Sequence, residues 1–447
     1  MPVDKTKIEN LLLSICISPA TGPMVRFWSK GNVAMYLDWN QESKFTEAVR
    51  ETLKARLIME NFSLREIEEQ FKDIISAAMQ LPAPQRQVYI RSSVIQFFAS
   101  FASQIAVNQV VVPISNLSIE KSFSVGDVEF KLFSKYQTRK WAGLFREVLK
   151  NNPHYNPAQK RDFVNSILEH NLKPLEGTVC TETTGIGKEE KASEIALRKV
   201  NVALDILKMY CMVERGQRDS NFGLKGEVLD SSVRSLLQRS ISKKSLTPTL
   251  ERVGPLFPLV IGNRELQMMR KYGLRLLNEI LRKKNRTWVE KKILRAIYWY
   301  SRVFDTPLRR VDDEKIVIRR QMPSSKSEEV LEYGCINERL VKAFIALESL
   351  FIISDREAVQ NSIAERVALV LANNYQDRKR IKKFLKDMYN FRSTVVHHGF
   401  TYVSVGELSQ LVYWVRDSII TILLKKNRLK LNSMEDFYGY FEKQKLS

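Results

Sequence analysis

Between Lys44 and Phe101 apolar residues recur mostly three and four positions apart, the spacing that gives a helix one buried face, so this stretch is predicted to be helical. From Val107 to Tyr136 the period changes to two. Val110, Val112 and Ile114, then Val128, Phe130 and Leu132, mark short strands, with Gly126 and Asp127 as the intervening turn. The longest uncharged stretch, Ser92–Ile119, is too rich in Ser, Gln and Asn for a membrane-spanning helix and reads as a buried helix followed by a strand. After a Pro- and Asn-rich joint at 151–157, a further strand is expected at Thr178–Thr181. It leads through Gly185 and Gly187, read as a turn, into a helix reaching about Met212.

Gly, Ser and Pro punctuate the chain between Val213 and Pro258, and from Arg264 onward helices dominate, with Leu266, Met269, Leu274, Leu277 and Leu281 close to helical spacing. Pro323, Ser324, Ser325 and Gly334 interrupt that pattern and place a boundary near 322–336. The expected class is α+β, predominantly α. Three regions follow: an α+β sensing or regulatory region over 1–230, a basic, mainly helical region over 231–321, and a C-terminal helical domain over 322–447. A chain of 447 residues, 44% of them hydrophobic, is long enough for two or three such cores.

Charge adds a partner class. The net charge is +21, and it is unevenly placed: residues 1–130 hold 13 basic and 14 acidic side chains, whereas 231–310 hold 19 basic and 5 acidic. A local excess of this size points to a polyanion, nucleic acid before an acidic surface. The four cysteines, Cys16, Cys180, Cys211 and Cys335, form no CxxC pair and no regular framework, which speaks for a reducing compartment and against structural zinc; no metal or other cofactor is expected. The apolar run Leu11–Ile17 lies behind Lys5 and Lys7, but Asp4 and Glu9 intrude and it falls short of a signal peptide, so the expected location is the cytoplasm.

Two segments imitate functional motifs. Gly185-Ile-Gly187-Lys188 lacks the spacing of a phosphate loop, and Glu189 and Glu190 would repel a phosphate at the helix start that follows. Arg295–Arg302, with Tyr298, Trp299 and Tyr300, reads as a helix whose aromatics pack inward, with base stacking as the lesser alternative.

The chemistry concentrates in Tyr389-Asn-Phe-Arg392-Ser393-Thr-Val-Val-His397-His398-Gly399, which holds two of the four histidines. Histidine titrates near neutrality and can move protons without a metal. An arginine a few residues before a histidine means little in so basic a chain, so context has to decide. Drawn as a helix from about Asp377 to a C-cap at Gly399, the segment buries Ile381, Phe384, Leu385 and Met388 on one stripe. Lys379, Lys382, Lys383 and Lys386 fall on the opposite face, and steps from Lys386 through Asn390 and Ser393 lead to His397. These lysines are either a solvated face or an RNA-binding ridge. Arg392 continues the apolar stripe, where a guanidinium needs a carboxylate, a partner chain or a phosphate. Upstream, Glu348 is an acid among Val341, Phe344, Ile345, Phe351 and Ile352; the sequence leaves open whether Arg392, Arg366 or neither is its partner.

Ala346-Leu-Glu348-Ser-Leu-Phe351, Ala364-Glu-Arg366-Val-Ala-Leu-Val and the Arg392–His398 segment occur in an order that resembles the Apea-like branch of the HEPN domain family, over about residues 335–425. The hallmark of that family is an Arg followed by a small polar residue, with four positions between that Arg and a His. Arg392, Ser393 and His397 match it. The resemblance implies a helical bundle that dimerises to build a composite, metal-independent endoribonuclease site, in prokaryotic toxin or antiviral defence systems of the abortive-infection type. A further defence-system subunit or a phage-derived trigger is then a possible partner, and no membrane is involved. Some members of the family have lost cleavage and only bind or scaffold.

The residue types suit such chemistry. A ribose 2′-hydroxyl can attack its adjacent phosphate if one group removes its proton, another protonates the leaving 5′-oxygen, and a cation offsets the charge of the phosphorane. His397 is the expected base or acid, and Arg392 the phosphate fork. Ser393 would bond a phosphate oxygen or orient the histidine. His398 ranks second, for catalysis or for positioning, and Glu348 is expected to support Arg392.

Overall fold

The computed structural model describes residues 3–17, 21–30, 33–150, 153, 155–211, 222–224, 232–240, 245–253, 259–304, 324–399, 401 and 403–446, with side chains throughout except at 224, 232–253, 324–335 and 405. Parts of the joint at 151–157, the connections within 212–258, residues 305–323 and the side chain of Cys335 lie outside them. Helices prevail over small sheets, as the periodicity predicts. No helix among the described residues is long and apolar enough to cross a membrane.

The chain divides into two compact units. One comprises residues 1–110 with 183–198, the other 111–182 with 199–447. This division interleaves, whereas the regions expected from the sequence run consecutively. The first unit contains α1 (Lys5–Ile17), a hairpin of β1 (Arg26–Lys30) and β2 (Val33–Leu37), then α2 (Trp39–Leu53), α3 (Arg56–Asn61), α4 (Leu64–Met79) and α5 (Ala83–Ser100). Leu12, Phe45, Phe71, Ile75 and Phe97 meet in its core. Within the uncharged stretch only Val94 and Phe97 of α5 are fully buried, so this helix is half-exposed rather than buried all round.

The strands β3 (Ala106–Ser115), β4 (Leu117–Ile119), β5 (Phe123–Val125) and β6 (Val128–Leu132) follow, then α6 (Lys135–Lys150), α7 (Pro157–Ile167), β7 (Val179–Gly187) and α8 (Glu189–Cys211). The turn expected at Gly185 and Gly187 is not one, because β7 runs through both. The glycines serve the fold-back of α8. A Cβ at Gly185 would lie 1.9 Å from the Ala192 carbonyl oxygen, and Gly187 has φ +143° with the Asn61 carbonyl 2.8 Å from where its Cβ would stand. The first turn of α8 is also spoken for: the Glu190 N–H donates to Glu66 and the Ser63 hydroxyl to Glu190.

The strands β5, β6, β7, β3 and β8 (Gly223–Leu224) form a five-stranded sheet in that order. The region beginning at 231 is less helical than expected. It starts with an antiparallel hairpin, β9 (Ser232–Ser240) and β10 (Ser245–Val253), and with β11 (Leu259–Ile261), which pairs in parallel with β4. The further elements among the described residues are helices: α9 (Asn263–Lys271), α10 (Leu274–Arg282), α11 (Trp288–Arg302), α12 (Ser324–Phe351), α13 (Val359–Leu371), α14 (Tyr375–His398), α15 (Val405–Leu429) and α16 (Met434–Lys445). Gly334, read as a breaker, lies inside α12, so the boundary expected near 322–336 is crossed by one continuous helix.

The aromatics of α11 divide: Tyr300 is fully buried, whereas Tyr298 is exposed. Phe344, Phe351, Leu411, Val415 and Phe441 are likewise buried in the helical bundle. Buried charge tightens this packing. Glu290 of α11 accepts from Lys283 at 2.6 Å and from Lys426 of α15 at 2.7 Å. At the end of α12, where free carbonyls concentrate negative charge, Lys292 reaches the Ser349 and Ile352 carbonyls and Arg366 reaches that of Phe351.

Candidate functional site

Helix α14 begins and ends as its sequence demands. Asn374 accepts from the Asp377 N–H at 2.9 Å, and Gly399 adopts φ +80°, its N–H bonding the Val395 carbonyl. Ile381, Leu385 and Met388 are buried, and Phe384 stands edge-on to Trp414 of α15 with ring centres 4.8 Å apart. That face fixes the rotation of the helix and so the directions of all its polar residues.

One turn beyond Met388, Arg392 points into the same seam and meets Glu348 of α12. Its Nη2 lies 3.3 Å from Glu348 Oε1, with side-chain exposures of 21% and 26%. The pair is close without being well bonded: among the described residues neither Glu348 Oε1 nor Arg392 Nε, both buried, has a hydrogen-bond partner. Burial pushes the Glu348 carboxyl above its ordinary range, and the opposing pull of Arg392 does not cancel that. Arg392 also lies 5.4 Å from the centre of the Tyr389 ring, which in turn packs edge-on against Phe344. Arg366 is engaged elsewhere, with Glu357 at 2.7 Å. Of the partners the sequence left open for Glu348, Arg392 is the one in contact.

Ser393 is half-buried, whereas His397 and His398 are exposed in the last turn of α14. Among the described residues none hydrogen-bonds the side chain of either histidine. The structure does not bring Arg392 and His397 together within one chain. In an ideal helix five residues separate them by about 140° and about 7.5 Å of rise. Lys379 and Lys383 are exposed, Lys382 and Lys386 half-buried, and none of the four pairs with a carboxylate among the described residues.

Two residues absent from the sequence-based site belong to its surroundings. Gln360 of α13 donates through Nε2 to the Lys386 carbonyl at 3.0 Å and to Asn390 Oδ1 at 2.8 Å, holding the ridge that ends at His397. Tyr389 is the aromatic platform under Arg392. Its place beside Arg392 in the motif could have suggested that role, whereas nothing in the sequence around Gln360 marks it. No protein-family model matches the chain, and comparison with curated proteins and with solved structures gives no match.

Proposed function

We propose that the C-terminal helices act as a metal-independent endoribonuclease, in which a second copy of the chain completes the site around Arg392 and His397. The observation that carries this reading is the incompletely bonded Arg392. It is half-buried beside a carboxylate that burial disfavours as an anion, its Nε is unpaired among the described residues, and it precedes a helix end that exposes two histidines. A phosphate oxygen would supply the acceptors Arg392 lacks. Because one α14 holds Arg392 and His397 on different sides, two helices are needed to put an arginine and a histidine on one phosphate.

In that arrangement His397 of one chain removes the proton of the 2′-hydroxyl. The 2′-oxygen attacks the phosphorus, the bond to the 5′-oxygen breaks, and a second histidine protonates the leaving oxygen. The products are a 2′,3′-cyclic phosphate and a 5′-hydroxyl. Arg392 offsets the charge of the phosphorane, Ser393 donates to a phosphate oxygen or orients His397, and His398 assists in positioning. Lys379, Lys382, Lys383 and Lys386 hold the flanking RNA. The setting is toxin or antiviral defence activity in the cytoplasm.

A second reading has its own observation. Because Glu348 already faces Arg392 within the chain, the arginine is also suited to a structural role, which favours an RNA-binding or scaffolding subunit that does not cleave. Incubating the purified protein with total RNA in EDTA, beside Arg392→Ala and His397→Ala, separates the two. Cleavage should fall at least about 100-fold in both variants while RNA affinity persists for His397→Ala. Dimers that bind RNA without cutting it under any condition, including infected-cell extract, would leave the scaffold.

A further inference from the structure

A cavity of about 350 Å³ opens in the second unit, and none of the residues lining it belongs to α14. The end of α8, the end of α9, the last turn of α13 and the middle of α15 enclose it. Met269, Leu371 and Ile420 form apolar walls, with the rings of Tyr272 and Tyr413 at its sides. Tyr210 ties two of these walls together, its hydroxyl donating to the Tyr272 carbonyl at 2.9 Å. A slot of this size, with aromatic sides and a lining that mixes polar and apolar groups, suits a flat molecule of nucleoside dimensions.

The polar groups say which kind. Arg416, 9% exposed, stacks against Tyr413 at 4.7 Å and donates from both Nε and Nη2 to a single oxygen, Oδ1 of Asp417, at 3.2 and 3.1 Å. Its Nη1 and the second carboxylate oxygen, Oδ2, have no bonded partner among the described residues. Burial holds the Asp417 carboxyl above its ordinary range in spite of Arg416. Glu265, which accepts from the Gly262 N–H at 3.0 Å, adds a second carboxylate to the lining. Arg416 is already bonded to Asp417, so the pair is close to neutral and favours N–H groups over a phosphate.

We propose that this cavity binds a planar, uncharged heterocycle of nucleoside size that offers neighbouring N–H donors to Asp417 and an acceptor to Arg416. Guanosine is a common molecule with that pattern, through N1–H and the 2-amino group on one edge and O6 beside them. The inference stands independently of RNA cleavage.

Titration calorimetry of the full chain with guanosine tests it. Saturable binding is expected, weaker by about 10-fold or more for inosine, which lacks the 2-amino donor. GMP should bind no more tightly than guanosine. Asp417→Asn should erase the preference for guanosine over inosine. Because that change also alters the Arg416 pair, Thr421→Phe, which fills the cavity from its half-exposed side, is the second variant and should abolish binding at an unchanged melting temperature. Absence of saturable guanosine binding, tighter binding of GMP, or binding that survives Thr421→Phe would each overturn the proposal.

Discussion

Arg392 shows how far a single residue can be read. Its position on an apolar stripe announces a guanidinium with an unusual environment, and Glu348 is visible as a misplaced acid of the same kind. That the two face one another depends on the rotation of α12 against α14, set by packing residues such as Phe344 and Tyr389 that no local pattern connects. Gln360 was illegible for a similar reason: a glutamine on a half-exposed helix face is unremarkable until its amide is found between Lys386 and Asn390. Gly273 is a residue whose role follows from geometry alone. It sits at φ +99° between α9 and α10, and a Cβ there would lie 2.8 Å from Leu423 Cδ2. Gly273→Ala combines a left-handed backbone with a clash and should destabilise the protein by about 1–3 kcal/mol, measured by denaturant titration. A variant as stable as the parent would show that α15 yields there at no cost.

Among elements, those with a strong period were legible and those defined by their partners were not. Residues 375–398 carry an unbroken helical stripe with caps at both ends, and the expected helix differs from α14 by two residues at its start. The hairpin β9–β10 has no comparable signal: Leu236 and Leu237 are adjacent in β9, and Pro248 stands inside β10. The strand β7 extends past its apolar core through two glycines because α8 requires the close approach, a demand made by another element. The contact of α11 with α15 carries a pH signature. Burial alone would raise the Glu290 carboxyl, but the bonds from Lys283 and Lys426 outweigh it and bring it down to about 2 from 4.5. A carboxylate held lower in the folded state than in the unfolded one stabilises above pH 4.5 and loses that contribution as pH falls toward 2, here about 3 kcal/mol. Glu290→Gln should therefore be clearly less stable than the parent at pH 7, and the gap should narrow steadily below pH 4.5. A gap independent of pH would remove the ion pair as its cause.

At the scale of the whole molecule the net charge of +21 was plain from composition, but its most basic stretch, 231–310, is not where the proposed chemistry sits. The ridge on α14 is a smaller and more local contribution. Changing Lys379, Lys382, Lys383 and Lys386 jointly to Glu should weaken RNA binding and flatten its dependence on salt, because fewer counterions are released. Filter binding across a salt series measures both, and an unchanged slope would reject the ridge. The division into units was the feature least accessible to a linear reading. Consecutive regions were expected, whereas residues 183–198 return to the unit built from 1–110 after the chain has already begun the other. This return has a consequence during synthesis. The Ser63, Asn61 and Glu66 partners at the start of α4 wait for Lys188 and Glu190, so the N-terminal unit emerging from a ribosome stays unfinished while more than 70 further residues are translated. Nascent chains arrested before residue 183 should then be protease-sensitive across α4, and those arrested well beyond 198 protected.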